Sequence, residues 1–194
     1  MPTPCQITSG YTLGCRDNVG SIKNIYILSG SITGVTAPTE GLITGISGSG
    51  SFFKFELFRE TSDFAENLTV TPENGTIAYE TTTNAVFFKM QVSTRNQIRL
   101  LSGNPNLKLI VETNNSDNTS KFIYVGRDNG VTLTTSAGST GTAMTDRNGY
   151  ALTFVSREPE PALFISASTY AELVARFQSP LTIVTGSAFG PTGS

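Results

Sequence analysis

Apolar and polar residues alternate with a period of two through much of the middle of the chain. Over residues 52–60, Phe53, Phe55 and Leu57 fall on one side of a pleat and Lys54 and Glu56 on the other, which predicts a half-buried strand. Over 85–92, Val86, Phe88, Met90 and Val92 share a face opposite Ala85, Phe87, Lys89 and Gln91; over 107–112, Leu107, Leu109 and Val111 lie opposite Lys108, Ile110 and Glu112. Each predicts a strand with one wetter face. Shorter runs at 22–28, 75–80, 121–126, 130–135, 150–156 and 162–166 raise the total to about nine strands, enough for a sandwich or a rolled sheet. Asn74-Gly75, Asn129-Gly130 and Asn148-Gly149 punctuate them. Asn-Gly pairs tolerate positive φ in tight turns, so hairpins are the expected connection.

One helix interrupts the strands. Thr94 is placed to cap it, Gln97 follows in capping-box register, and Gly103 with Pro105 stops it, which predicts about two turns over 95–102 with Ile98 and Leu101 facing inward. A second helix is expected from Ser168 or Thr169, with Leu173, Val174 and Phe177 apolar and Pro180 beyond. Residues 29–51 are rich in Gly, Ser and Thr and alternate weakly, and 186–194 is a polar tail. Both read as poorly ordered in isolation; such segments become ordered against a neighbouring subunit or, for the tail, stay flexible. The fold class is therefore mainly β: a β-sandwich or rolled β-barrel of about nine strands with one short flanking helix. Residues 1–166 form the β domain, with the long loop 29–51, and residues 167–194 a C-terminal helical or extended appendage.

Composition narrows the chemistry. The chain has 194 residues, 38% hydrophobic and 14% charged, with a formal charge of −2. Thr, Ser, Asn and Gly carry the polar remainder, unlike the high-charge composition of disorder. Thirteen basic against fifteen acidic side chains give no basis for tight phosphate binding. Histidine is absent, which removes the usual acid–base side chain near neutral pH and the commonest metal ligand. Cys5 and Cys15 are the only thiols; they read as two reduced cysteines, with one disulfide closing a short loop as the alternative. The N-terminus lacks a signal-peptide pattern and no apolar run approaches the ~20 residues of a membrane span, so a soluble protein without a membrane partner is expected.

The search for catalytic motifs yields little. Residues 45–49 miss the nucleophile-elbow pattern, and Gly48-Ser49-Gly50 lacks both dinucleotide-binding spacing and a phosphate-loop lysine. Glu56, Glu66, Glu73, Glu80, Asp146, Glu158 and Glu160 are the carboxylates from which a glycosidase pair would be drawn, and nothing pairs them. Glu158-Pro159-Glu160-Pro161 reads as a solvated corner linking strands. Asp117, Asp128 and Asp146 are too dispersed for a calcium loop. No catalytic residue, metal site or cofactor is assigned, and a non-enzymatic role is expected.

Three segments, TRNQIRLL at 94–101, TAMTDRNGYALTF at 142–154 and EPEPA at 158–162, together with FFKFEL at 52–57 and TPENGT at 71–76, resemble a family of virion proteins from phages and prophages of Bacteroidetes-type bacteria. The resemblance covers roughly residues 10–166 and its motifs are structural; beyond about residue 166 no counterpart is recognised. That family is similar to the tail-tube proteins of long-tailed phages and contractile injection machines. It implies a β-sandwich or barrel with one flanking helix, homohexameric rings stacked into a tube, other tail or neck proteins as partners, transient non-specific contact with DNA in the lumen, and a place in the virion tail after assembly in the bacterial cytoplasm. Candidate subunit-interface residues are Gly30, Ile32, Val35, Leu42, Ile43, Ile46 and Gly50 of the long loop. The alternatives are a tail-ring, tail-completion or capsid-decorating protein of the same kind of virion, and a carbohydrate-binding or adhesin module. The last is weakened because tryptophan is absent and the phenylalanines fall on core faces.

Overall fold

The run Ile22-Lys23-Asn24-Ile25-Tyr26-Ile27-Leu28 has almost no wet side: every residue but Lys23 is buried. A strand of this kind needs packing on both faces, and the computed structural model, which describes residues 10–11, 18–37 and 41–186, supplies it. Cys5, Cys15 and nearly all of the 186–194 tail lie outside the described residues.

Eleven strands form two sheets among the described residues. The larger sheet takes in β1 (Ile22–Thr36), β2 (Leu42–Ile43), β3 (Gly45–Glu56), β6 (Leu109–Thr113), β7 (Phe122–Val125), β10 (Leu163–Ile165) and β11 (Thr182–Thr185), in the order β11-β3-β1-β6-β7-β10-β2. The smaller is β4 (Asp63–Thr71), β5 (Thr76–Phe88), β8 (Val131–Ser139) and β9 (Gly149–Glu158), ordered β4-β5-β9-β8 and antiparallel throughout. This is a mainly β, sandwich-like fold; the closed-barrel alternative is not realised.

Two cores lie on opposite faces of the larger sheet. Ile25, Ile27, Leu109 and Val111 meet Ala85, Phe87, Leu152 and Phe154 of the smaller sheet. Their alternate neighbours, Tyr26, Leu28, Ile110, Phe122 and Tyr124, line a second core with Phe52, Ile43, Ile46, Leu163, Ile165 and Leu173. The expected wetter face of 107–112 is therefore buried: Ile110 is fully covered and Glu112 is 5% exposed. Phe52 likewise heads the supposedly polar face of β3, stacked on Phe177 with ring centroids 5.1 Å apart.

What covers that far face comes from two places. The connection between β1 and β3 folds back so that β2 pairs in parallel with β10, and residues 167–185 run across and alongside. Helix α2 (Tyr170–Ala175) is capped by the Thr169 hydroxyl, which accepts from the Glu172 amide as expected, and it buries Leu173. Ile46 then exchanges backbone hydrogen bonds with residues 176 and 178, and β11 continues parallel to β3.

Several elements depart from the sequence pattern. Residues 29–36 and 45–51, expected within an irregular loop, form a two-stranded ribbon: Ser29↔Ser51, Gly30↔Gly50, Ser31↔Ser49 and Ile32↔Gly48 are direct partners. Small side chains hid the alternation, but the ladder is made by backbone groups, which need none. The runs 75–80 and 85–92 prove to be one strand, β5, which ends at Phe88 where Lys89 turns to positive φ. Its partner β4 carries mostly polar residues and escaped notice. Helix α1 (Val92–Ser102) starts a turn before the expected cap: Gln91 is the N-cap without a side-chain hydrogen bond to the helix end, and its amide instead reaches the Thr94 hydroxyl. Ile98 and Leu101 do pack on the first core. Of the three Asn-Gly sites, Gly75 closes the β4–β5 hairpin with φ 63°, whereas Asn129-Gly130 lies on the crossing from β7 to β8, between the sheets.

One cluster of buried polar side chains is mutually satisfied. Asn24 Nδ2 and Tyr26 Oη both donate to Glu112 Oε2, at 2.6 and 2.7 Å, and Lys23 Nζ lies 3.9 Å from Oε1. Burial, and then the Glu112 carboxylate, push the Tyr26 phenol above its ordinary range. Removing the acceptor leaves two buried donors unpaired. Glu112→Ala is thus expected to cost about 3 kcal/mol in urea unfolding, while Glu112→Gln, which keeps one acceptor oxygen, costs about 1 kcal/mol or less.

A tighter constraint sits where the ribbon leaves the body. A Cβ on Gly50 would strike the Ser29 carbonyl oxygen, one on Gly30 the Ser49 carbonyl oxygen, and both residues have positive φ, 110° and 149°. Gly50→Ala should cost about 3 kcal/mol, the sum of strain and displaced backbone, read as a lowered midpoint of thermal unfolding. Gly34→Ala, which meets nothing within 4 Å, should leave that midpoint nearly unchanged.

Candidate functional site

Both long hairpins overshoot the same end of the sandwich. In the larger sheet the last ladder contact of β1 with β6 is the Leu28 amide on the Lys108 carbonyl, and the ribbon 29–36/45–51 continues past it. In the smaller sheet β5 loses β9 after Tyr79↔Glu158, and residues 69–78 of β4 and β5 project beyond. Lys108, Arg127, Asp128 and Glu158 belong to the same end, because the Asp128 and Asn129 amides donate to Glu158 at 3.1 Å. The molecule thus ends in a fork.

The floor of the fork is polar and internally balanced. Arg127 Nη1 meets Glu160 at 2.7 Å, and its Nε lies 3.7 Å from Asp128. Lys108 Nζ donates to the Arg127 carbonyl at 3.2 Å; partial burial lowers its pKa, against the opposing pull of Glu158 and Asp128. A groove of about 920 Å³ separates this floor from residues 30–37 of the ribbon. Two cations face two carboxylates there, so the groove carries no excess of positive charge to hold a phosphate.

Glu158 is the keystone of the floor. Residues 159–161 are the expected exposed corner between β9 and β10, but Glu158 departs from it: the residue is 7% exposed, and its carboxylate accepts from the Asp128 and Asn129 amides and from the Ser156 hydroxyl. These bonds fix the crossing from β7 to β8. Nearby, Glu66 accepts from the Ala162 amide at 2.7 Å, and Glu80 pairs with Arg157. These carboxylates are engaged by the protein's own donors, and among the described residues no group of three or more metal-ligating side chains gathers.

The two arms differ in their side chains. On the β4–β5 arm, Leu68 pairs with Tyr79 and Val70 with Ile77. These four share the face that, farther in, carries Thr81, Thr83, Ala85 and Phe87 toward the first core. Among the described residues nothing covers three of them beyond the sandwich: Leu68 is 56%, Val70 52% and Ile77 57% exposed, while Tyr79 at the root is half-buried.

No protein-family model, no curated protein and no solved structure matches this chain. Its own surfaces carry the functional reading.

The seven residues expected at a subunit interface scatter. Gly30 and Gly50 form the tight crossing at the base of the ribbon; Ile32 and Val35 lie beyond it, half-buried and turned toward the second core. Leu42 sits in β2 against β10. Ile43 and Ile46 are fully buried within the subunit, where they belong to the second core. Sequence reasoning passed over Leu68, Val70 and Ile77, although the short alternations on either side of Thr71-Pro72-Glu73-Asn74-Gly75 carried the signal.

Because Glu158 holds two consecutive amides of the crossing, Glu158→Ala should raise amide hydrogen exchange at Asp128 and Asn129 by at least tenfold. It should also cost about 2–3 kcal/mol of stability, the penalty of stranding buried donors. The β4–β5 turn around Gly75 should exchange as before.

Proposed function

We propose that this protein is a structural assembly subunit: a virion component of the tail-tube kind, whose copies form rings that stack into a DNA-conducting tube. The observation that carries the reading is the apolar inner face of the β4–β5 arm. A sheet face held out past its own sandwich has no intramolecular reason to bear Leu68, Val70, Ile77 and Tyr79, and exposed apolar surface of this sort marks a protein contact.

Three further features support it. The smaller sheet ends in β4 and β8, whose outer edges are unpaired among the described residues; such edges are managed by pairing or covering them in an assembly. The ribbon reaches out from the same end as the arm, which suits contact between stacked rings. The net charge of −2 suits a lumen that lets DNA slide, since each phosphate neutralised by the wall would add affinity and impede movement. The family resemblance, with its place in the virion tail, points the same way.

Negative-stain microscopy and mass photometry of the concentrated protein test this. Rings or hollow filaments are expected. Val70→Lys/Ile77→Lys, which places two charges on exposed positions, should keep the far-ultraviolet circular dichroism and thermal midpoint while weakening assembly at least tenfold. A protein that stays monomeric at every concentration, or a double-lysine variant that assembles as well as the parent, would sink the proposal.

A further inference from the structure

Three asparagines of this chain, Asn74, Asn129 and Asn148, are each followed by glycine. Such a pair is open to ring closure by the backbone, because glycine puts no side chain between its own amide nitrogen and the carboxamide of the asparagine before it. All three asparagines are exposed, so their own exposure does not rank them. The glycines do.

Two of the pairs are locked into the body. Asn129 Nδ2 donates to the Arg157 carbonyl at 2.7 Å and its amide donates to Glu158, while Gly130 is buried so closely that a Cβ on it would strike Asn106. Asn148 Oδ1 accepts from the Met90 amide at 3.3 Å. Gly149 is buried in β9 between Phe88 and Ser139, where a Cβ would strike the Phe87 carbonyl oxygen. Neither glycine amide can swing onto the neighbouring side chain without local opening of the structure. Asn74-Gly75 is different. It lies at the tip of the β4–β5 arm, beyond the last ladder pair Thr71↔Thr76; both residues are exposed, and a Cβ on Gly75 would meet nothing within 4 Å. The bond that restrains the Gly75 amide, to the Pro72 carbonyl, is 3.3 Å long, past the usual range of about 2.7–3.2 Å. Exposed loop tips are also where a folded chain is least constrained.

We propose that Asn74 is a self-modification site of the folded protein, which converts to aspartate and isoaspartate through a succinimide. The Gly75 amide nitrogen attacks Asn74 Cγ. The N–Cγ bond forms, the Cγ–Nδ2 bond breaks, and the Gly75 amide proton leaves with the side-chain nitrogen as ammonia. Water then opens the ring at either carbonyl: at Cγ it restores the ordinary backbone as aspartate, and at the main-chain carbonyl it routes the backbone through the side chain as isoaspartate. Water is the co-reactant and nothing is oxidised or reduced. The reaction puts a new carboxylate at the tip of the arm that bears Leu68, Val70 and Ile77, and the isoaspartyl form lengthens the turn by a methylene. The site rests on the hairpin and stands independently of the tail-tube reading.

Peptide mapping by mass spectrometry, on folded protein held at mildly alkaline pH, tests this. Amide-to-acid conversion is expected at Asn74 about ten times faster, or more, than at Asn129 and Asn148, with part of the product labelled by an enzyme that methylates isoaspartyl groups. In concentrated urea, where the body no longer holds Gly130 and Gly149, the three rates should draw together. Asn74→Gln, whose side chain would have to close a larger ring, should keep the thermal midpoint of the parent and lose the modification at that position. The proposal is overturned if Asn129 or Asn148 converts as fast as Asn74 in the folded protein, or if the product at position 74 contains no isoaspartate. A ranking that persists unchanged in urea also overturns it, since the fold would then have no part in the choice.

Discussion

Burial of the larger sheet on both faces is the constraint from which the rest of the architecture follows. Ile25 and Ile27 need the smaller sheet, while Tyr26 and Leu28, their neighbours on the same strand, need something on the opposite side. A two-layer sandwich alone would leave the second set in water, at a loss of about 2 kcal/mol for each large side chain. The turn at 41–46 and the segment 167–181 provide the missing cover. The C-terminal stretch therefore works as part of the core, and Leu173 and Leu181 are its anchors.

The same constraint dictates how polar residues survive in these strands. Asn24, Tyr26 and Glu112 sit on the covered face with no access to bulk water, so their hydrogen bonds must be closed among themselves. Placing both donors on one carboxylate oxygen does this with the shortest reach, because Asn24 and Glu112 are direct ladder partners. At the other end of the sandwich, on the smaller sheet, Glu158 performs the corresponding task for backbone amides. The two acids thus close opposite ends of one body, and neither is a surface charge.

Much of this was legible in the sequence, for reasons that can be named. Strands with large alternating side chains, such as 150–156, and the α2 cap at Thr169 follow from local pattern. The ribbon 29–36/45–51 did not, because Gly, Ser and Thr reveal neither face of a strand whose stability comes from its ladder. The face of Ile110 and Glu112 was misjudged because a polar residue at the end of a run signals water unless its partner is known, and Asn24 lies 88 positions away. At the candidate site the glycines at 30 and 50 were singled out, but their meaning, two backbones in direct contact, required the register. Leu68, Val70 and Ile77 were passed over because a short apolar alternation among Thr, Glu and Asn carries little weight without knowing that it overhangs.

A fork is useful to an assembly only if its arms are held in a fixed direction, and their roots explain how this is achieved. The β1–β3 ribbon is clamped where Gly30 and Gly50 bring the two backbones together without side chains between them. The β4–β5 arm is tied down by Glu66 on the Ala162 amide and by the ladder of β5 with β9, which ends at Glu158. Glu158 in turn fixes the crossing that carries Asp128, and Arg127 beside it binds Glu160. The polar floor links both roots through contacts of a few ångströms, so a tilt of one arm must disturb the base of the other. Preorganisation of this kind lowers the ordering cost of association, which is what the proposed assembly role asks of a modest apolar face such as Leu68, Val70 and Ile77.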